Sequence, residues 1–310
     1  MKVLVTCPPM IGLIDEFKPF FVDKGIEVHC PEIIQTLSVE ELKSIVSQYD
    51  GWIIGDDPAT KDVFAAGKAG KLKAVVKWGV GVDNVDFAAA KELNIPITNT
   101  PRMFGGEVAD IAMGYVIALA RQTFVIHQGV KAGKWLKPSG ISLAGKTVAL
   151  MGFGDIGRNT AKRLMAADMQ VIAYDPYFQP AIGLEAVQLA QWPDRFDEAD
   201  FIVLTCALTK ENWHLLNAET LAKTKPGVRI VNVARGQLID EVALAKALAS
   251  GQVHSAALDV FEVEPLPTYS SLRQFEQCIF GSHNASNTVD AVHRASQQAI
   301  AHLFNFLGVI

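Results

Sequence analysis

Two sets of residues have the types and spacing to do chemistry: one glycine loop, and three polar groups that follow apolar runs. The stretch Val148-Ala149-Leu150-Met151-Gly152-Phe153-Gly154-Asp155-Ile156-Gly157 leads an apolar run directly into Gly-x-Gly-x-x-Gly. A helical pattern follows, with Ala161, Leu164 and Met165 on one face. In a dinucleotide site each glycine has a separate task. Gly152 permits the tight turn, Gly154 lets the backbone approach a pyrophosphate, and Gly157 lets helix pack closely on strand. The helix start, with Asp155 and Ile156, offers N–H groups and a positive dipole end to the phosphates. Asp175 closes the next apolar run, Val171 to Tyr174, 18 residues beyond Gly157. A carboxylate there accepts hydrogen bonds from the ribose hydroxyls of NAD and repels a 2′-phosphate. Pro176-Tyr177-Phe178-Gln179 follow it without an Arg, so NAD rather than NADP is the expected cofactor.

The polar groups come later. In Ile230-Val231-Asn232-Val233-Ala234-Arg235-Gly236 an Arg stands just after an apolar run and before a glycine. Such an Arg can point its planar fork at a carboxylate. Leu258-Asp259-Val260-Phe261-Glu262-Val263-Glu264-Pro265 and Gly281-Ser282-His283-Asn284 complete the set. The other six histidines, His29, His127, His214, His254, His293 and His302, have no such company in the sequence.

Positioning these groups requires a framework of strands. Apolar, β-branched runs recur at Val3–Val5, Trp52–Ile54, Ala74–Val76, Ile95–Ile97, Thr147–Met151, Val171–Tyr174, Phe201–Leu204, Val228–Val231 and Ala256–Leu258. They are nearly continuous in apolar character, as strands buried on both faces of a parallel sheet are. Helical stretches between them give the β-α-β-α order of a doubly wound α/β protein. One long helix is expected from Glu107 to His127. A last one carries Val292, Ala295, Ala299, Leu303 and Phe306 on a single face. Gly133 to Gly145 reads as a surface connection. A length of 310 residues gives a prior of two domains.

Composition removes several classes of function. Half of the residues are apolar and 20% are charged, which excludes wholesale disorder. Lys plus Arg number 28 against 33 Asp plus Glu, and a net charge of −5 is not the footprint of a nucleic-acid binder. The apolar run Ile111 to Ala120 is too short for a hydrocarbon core about 30 Å thick, and the N-terminal run is too short for a signal-peptide core. No membrane partner is expected. Cys7, Cys30, Cys206 and Cys278 show no zinc-ligand spacing. We therefore expect no metal, and reduced thiols in a cytoplasmic protein.

The glycine loop, Val233-Ala234-Arg235-Gly236, Asp259-Val260-Phe261-Glu262-Val263-Glu264-Pro265 and His283 together resemble the D-isomer-specific 2-hydroxyacid dehydrogenases, a family that includes D-3-phosphoglycerate dehydrogenases. The resemblance extends to Trp78-Gly79-Val80-Gly81-Val82-Asp83-Asn84-Val85-Asp86 and Thr98-Asn99-Thr100-Pro101, and so covers most of the chain. It implies a Rossmann NAD-binding domain, residues 99–289, inserted in a flavodoxin-like substrate domain made of residues 1–98 and a returning helix, 290–310. It also implies roles. His283 is the general acid/base, and Glu264 holds its other ring nitrogen and raises its pKa. Arg235 binds the oxygens of a small 2-oxo or 2-hydroxy acid and polarises the carbonyl. The N–H groups of Val80 and Gly81 hold the substrate carboxylate. Asp259 lies near the nicotinamide, Ala234 is a cofactor contact, and Ala207 to Thr209 lie on the adenine side. Family members pair as two-fold dimers through the segment corresponding to 107–127, so a homodimer is expected.

Departures from the family pattern sharpen the substrate expectation. Ser282 stands where the family usually has Pro. Phosphoglycerate dehydrogenases commonly carry an Arg-Ser pair where this chain has Gly55-Asp56-Asp57-Pro58, and that acidic loop is expected to repel a phosphate, with Lys77 as one nearby cation. An unphosphorylated acid is therefore favoured, with 3-phosphoglycerate as the alternative. Glu264 argues against a formate-type enzyme, which replaces the acid of the pair by an amide, while a phosphite oxidiser fits the same residues. An NAD-sensing corepressor would also keep them all, and is the alternative from another class. Asp83, Asn84 and Asp86 read as caps of a helix beginning at Phe87 rather than as catalytic groups.

Overall fold

The apolar runs form two parallel sheets in the computed structural model, which describes residues 1–309. Each sheet belongs to one of two units, Met1–Met103 with Asn287–Ile310, and Phe104–Ser286.

In the first unit, β1 (Lys2–Val5), β2 (Glu27–His29), β3 (Gly51–Ile54), β4 (Ala74–Lys77) and β5 (Ile97–Asn99) pair in the order β2-β1-β3-β4-β5. This is the flavodoxin-like strand order. Strands β3 and β4 are buried throughout, which is why they read as unbroken apolar runs. The final helix, Val289–Leu307, starts at an N-cap in which Thr288 Oγ1 accepts from the Ala291 N–H at 3.1 Å. It packs on this same sheet. A Cβ on Gly51 would lie 3.1 Å from Leu303 Cδ1, and Trp78 Nε1–H donates to Ser296 Oγ at 3.0 Å.

In the second unit, β6 (Thr147–Met151), β7 (Gln170–Tyr174), β8 (Gln188–Leu189), β9 (Phe201–Leu204), β10 (Val228–Asn232), β11 (Val253–Leu258) and β12 (Ile279–Phe280) run in the order β12-β11-β10-β9-β6-β7-β8. Counted from β6, this is the Rossmann order with one further edge strand. The strand order, not the strand direction, reverses between β6 and β9, and ligands of such sheets bind beyond the carboxyl ends at that reversal. The glycine loop follows β6, Asp175 follows β7, Ala207 follows β9, Arg235 follows β10, Asp259 follows β11 and His283 follows β12. Every chemical group picked out in this unit therefore lies on one edge of the sheet.

Several expected elements differ. The helix expected from Glu107 to His127 is two helices, Gly105–Arg121 and Thr123–Lys131, bent by 68°. Gln122 breaks the run in the left-handed region at φ 53°, where its Nε2 donates to Ser139 O at 3.0 Å. The connection at Gly133 to Gly145 does lie on the surface, each of its residues at least partly exposed, and the Ile141 N–H ties it down by donating to Ala120 O at 2.9 Å. The strand expected at Ile95–Ile97 begins only at Ile97, because Pro96 has no N–H for a ladder. Strands β2, β8 and β12, of two or three residues, carry too little pattern to be read. Among the described residues no single helix is long and apolar enough to cross a membrane.

Candidate active site

The glycine loop is built as its residue types require. Gly152 adopts φ +95°, and a Cβ there would lie 2.7 Å from Cys206 Cα. A Cβ on Gly157 would overlap the Gly152 carbonyl. Gly154 differs: at φ −75° it is unstrained, and an added Cβ meets no protein atom within 4 Å. Its lack of a side chain therefore answers no need of the fold and leaves open space beside the start of the helix Asp155–Ala166. That helix has no side-chain cap, so its first N–H groups, those of Asp155 and Ile156 included, suit an anion. Asp155 turns its own carboxylate toward Gly105, where a Cβ would overlap it.

Asp175 faces the loop. Its Oδ2 accepts from the Phe153 N–H at 2.6 Å and its Oδ1 from the Tyr177 N–H at 2.7 Å. Each carboxylate oxygen keeps acceptor capacity for a ribose hydroxyl. Phe153 stacks on Phe178 with ring centroids 4.7 Å apart, pinning the segment after Asp175 to the glycine loop. Across the strand reversal, Thr205 Oγ1–H lies 3.0 Å from Gly152 O. The Asn212 side chain closes the turn at Ala207 and Thr209, donating to Ala207 O at 2.8 Å and accepting from the Thr209 N–H at 2.7 Å. The open backbone, the uncapped helix and the acid together fit NAD.

Beyond β11 and β12 the polar groups converge. His283 Nδ1 and Glu264 Oε2 lie 2.8 Å apart, and Glu264 Oε1 accepts from the Phe261 N–H at 3.0 Å. His283 itself sits at φ +54°, a left-handed conformation that costs a non-glycine residue energy and persists only when the surroundings enforce it. Asp259 enforces it. Its carbonyl accepts from the His283 N–H at 2.6 Å, and its carboxylate oxygens accept from the N–H groups of Asn284 at 3.2 Å and Ala285 at 2.9 Å. Burial pushes the Asp259 carboxyl above its ordinary value, and those N–H groups and His283 offset it only in part. Gly281 gives Asp259 the room it needs, since a Cβ there would overlap Asp259 Oδ1.

A histidine with a carboxylate is not by itself distinctive in this chain. His214 Nε2 lies 2.5 Å from Glu262 Oε1, and His293 Nε2 lies 3.0 Å from Glu16 Oε2. These two histidines do have acidic company, contrary to the sequence reading, because their partners are distant in the chain. His214 shares the left-handed backbone too, at φ +52°, so the mark of His283 is its place at the strand ends and the bonds by which Asp259 holds its loop.

Arg235 follows β10 with an extended backbone, its Nη1 donating to Ala234 O at 2.8 Å. In the first unit, the Asn99 side-chain amide donates to the carbonyls of Gly79 and Val80, both at 3.3 Å, and the Gly79 N–H donates to Thr100 Oγ1 at 2.8 Å. Among the described residues no protein group accepts from the N–H of Val80 or Gly81, so these two donors suit an anion.

Residues 113–285 match the family model described as "D-isomer specific 2-hydroxyacid dehydrogenase, NAD binding domain". The chain belongs to this family. Its dehydrogenase is an oxidoreductase acting on CH–OH donors, with NAD as cofactor. A hydroxypyruvate reductase of Thermotoga maritima is 39% identical over 279 residues, 88% of this chain and 90% of that protein. The D-3-phosphoglycerate dehydrogenase 2 of Arabidopsis thaliana chloroplasts is 40% identical over 82% of this chain, which spans only 41% of that longer protein. The crystal structure of an NAD-dependent formate dehydrogenase from Staphylococcus aureus in complex with NAD superposes with a TM-score of 0.87. It is 25% identical and covers 99% of this chain and 96% of that one.

In this dehydrogenase the acidic loop after β3 is not the repelling surface that its composition predicts. Asp57 is fully buried; it accepts from the Leu37 N–H at 2.8 Å and from the Thr6 hydroxyl, and burial raises its carboxyl pKa. Asp56 pairs with Lys77, whose Nζ lies 3.0 Å from Oδ1 and donates to Gly55 O at 2.5 Å. Lys77, itself buried, is therefore already engaged. Asp86 caps the helix at Phe87 by accepting from the Ala89 N–H at 2.8 Å, while Asn84 Nδ2 donates to Asp57 O at 2.7 Å.

Sequence reasoning assigned no task to Asn232, Asn99 or Asn212. Asn232 left a signal: an amide inside the apolar run Ile230-Val231-Asn232-Val233 needs buried partners.

Proposed function

We propose that this dehydrogenase reduces a small, unphosphorylated 2-oxo acid to the D-2-hydroxy acid, and catalyses the reverse oxidation, with His283 as acid/base. The observation that carries the proposal is the 2.8 Å contact between His283 Nδ1 and Glu264 Oε2 on a loop that Asp259 holds in a strained conformation.

NAD, held by Gly152, Gly154, Gly157, Asp175 and the neighbouring backbone of Asp155 and Ile156, supplies a hydride donor or acceptor at its nicotinamide ring. Ala207, Thr209, Ala234 and Asp259 complete its surroundings. The chain's own residues manage the proton and the carboxylate. Glu264 holds Nδ1, so Nε2 of His283 is the atom that gives a proton to the substrate oxygen in reduction and takes it back in oxidation. The anionic partner favours the imidazolium needed for reduction. Arg235 offers a planar fork to the carboxylate and carbonyl oxygens, and its charge stabilises the oxygen on which negative charge develops. Val80 and Gly81 offer two further N–H donors to the carboxylate.

The lack of a phosphate site rests on engagement rather than repulsion: Lys77 is committed to Asp56 and Gly55, and the loop offers no guanidinium fork. The near full-length match to a hydroxypyruvate reductase supports the same class of acid. Ile111 and Ile117 on one helix, and Phe124 and Val130 on the next, are exposed, and support a homodimer that covers this apolar face. Four free thiols fit a reducing, cytoplasmic setting.

A panel of 2-oxo acids assayed by NADH oxidation tests the proposal. Turnover of glyoxylate, hydroxypyruvate or pyruvate-like acids well above that of 3-phosphohydroxypyruvate supports it. Comparable or better turnover of the phosphorylated acid refutes the substrate class. Peptide binding without turnover of any acid refutes the enzymatic reading in favour of a corepressor.

A further inference from the structure

The turn that carries Arg235 is shaped by a buried amide. Asn232 ends β10, in register with Leu258 on one side and Leu204 on the other. It is 0% exposed. Its main chain serves the sheet, its carbonyl accepting from the Asp259 N–H at 2.9 Å. Its side chain serves only the turn. Oδ1 accepts from the Ala234 N–H at 3.0 Å, and Nδ2 donates to the Arg235 carbonyl at 2.8 Å.

We propose that Asn232 is a positioning residue for Arg235, fixing the point from which its guanidinium reaches the substrate. The two bonds bracket the turn at consecutive residues, so the Cα of Arg235 cannot shift without breaking one. The guanidinium depends on the same turn, because Nη1 donates to Ala234 O. On the far side the turn has no slack, since a Cβ on Gly236 would overlap the Phe261 backbone. Freed from Asn232, the turn can move only away from that wall, and Arg235 moves with it. An apolar residue at 232 would also leave the Ala234 N–H and the Arg235 carbonyl without the partners they have now, a cost that displacing the turn relieves. The inference rests on the reading of Arg235 as the anchor of the substrate's carboxylate and carbonyl.

A double-mutant cycle tests it, with kcat/KM for the best acid of the panel as the readout and NADH affinity as a control. Arg235→Ala should lower kcat/KM by roughly 10²- to 10⁴-fold, the scale of a lost bidentate charge-assisted contact. Asn232→Ala should lower it by roughly 10- to 100-fold, the scale of a misplaced anchoring group, with a much smaller loss of NADH affinity, since the turn carries only Ala234 of the cofactor's proposed surroundings. The double variant should be no slower than Arg235→Ala alone, because the amide acts only through that side chain. If the two losses multiply, or if Asn232→Ala weakens NADH binding equally, Asn232 is a fold residue and the inference fails while the reading of Arg235 stands. If Arg235→Ala leaves kcat/KM intact, the reading beneath the inference fails. Should Asn232→Ala not fold, Asn232→Asp enters the same cycle: it keeps the acceptor for Ala234 N–H, loses the donor to Arg235 O, and is judged by the same outcomes.

Discussion

Replacing Glu264 by Gln removes one charge at nearly constant shape, and the structure says what that does. Glu264 accepts two hydrogen bonds on separate oxygens, from His283 Nδ1–H and from the Phe261 N–H. A glutamine amide has one oxygen, so it can accept only one of them while its NH₂ faces the other donor. Keeping the histidine contact turns a charge-assisted bond into a neutral one, a difference of about 1–2 kcal/mol. The imidazolium is disfavoured by that amount, roughly 5- to 30-fold in its protonation equilibrium. In the proposed mechanism reduction needs protonated His283, so its rate should fall as pH rises, and in Glu264→Gln the fall should come at lower pH. Oxidation needs the neutral ring, so its rate rises with pH, and that rise should move to lower pH by the same amount. Initial rates in both directions across pH 5 to 10, with NAD(H) saturating, measure the two shifts together. Profiles that stay in place, or that move in opposite directions, would refute the coupling of Glu264 to His283.

Other outcomes follow from single positions. Gly154→Ala adds a methyl that meets no protein atom, so its melting temperature should stay at the wild-type value. NADH affinity, followed by tryptophan quenching, should fall by roughly 5- to 150-fold, the cost of overpacking a close contact by about 1–3 kcal/mol; unchanged affinity would remove the cofactor from this loop. Ile117→Glu, on the exposed apolar face, should convert a dimer to a folded monomer in light scattering at micromolar concentration, and a wild-type monomer would contradict the dimer. Burial pushes the Cys206 thiol up to about 11, so iodoacetamide should label it slowly at pH 8 and faster as pH climbs toward that value. Rapid labelling at pH 8 would mean that the turn after β9 opens.

The glycine loop was legible because its geometry constrains residue type. A φ of +95° at Gly152 and the overlap that a Cβ on Gly157 would cause leave glycine as the fitting residue at both positions. Buried parallel strands were legible as unbroken apolar runs, and with them the order of groups along one sheet edge. Features set by distant partners were not. Asp57 reads as a surface acid, yet it is buried by a bond to Thr6, 51 residues away. His214 finds Glu262 across 48 residues. The helix break at Gln122 rests on a left-handed residue that is neither Gly nor Asn, so no residue type announces it. The strained φ of His283 is likewise invisible in sequence, because Asp259 creates it from another strand.

The most direct test of the central claim compares wild type with His283→Ala, measuring 2-oxo acid reduction and NADH binding on the same preparations. Loss of the proposed proton donor should slow reduction by about 10²- to 10⁴-fold, while NADH binds nearly as before, because the groups proposed for its pyrophosphate and ribose lie after β6 and β7 and the His283 side chain is not among its proposed contacts. Retained reduction would contradict the role of His283 in proton transfer. Parallel loss of reduction and NADH binding would contradict it too, and would make His283 a residue of the fold.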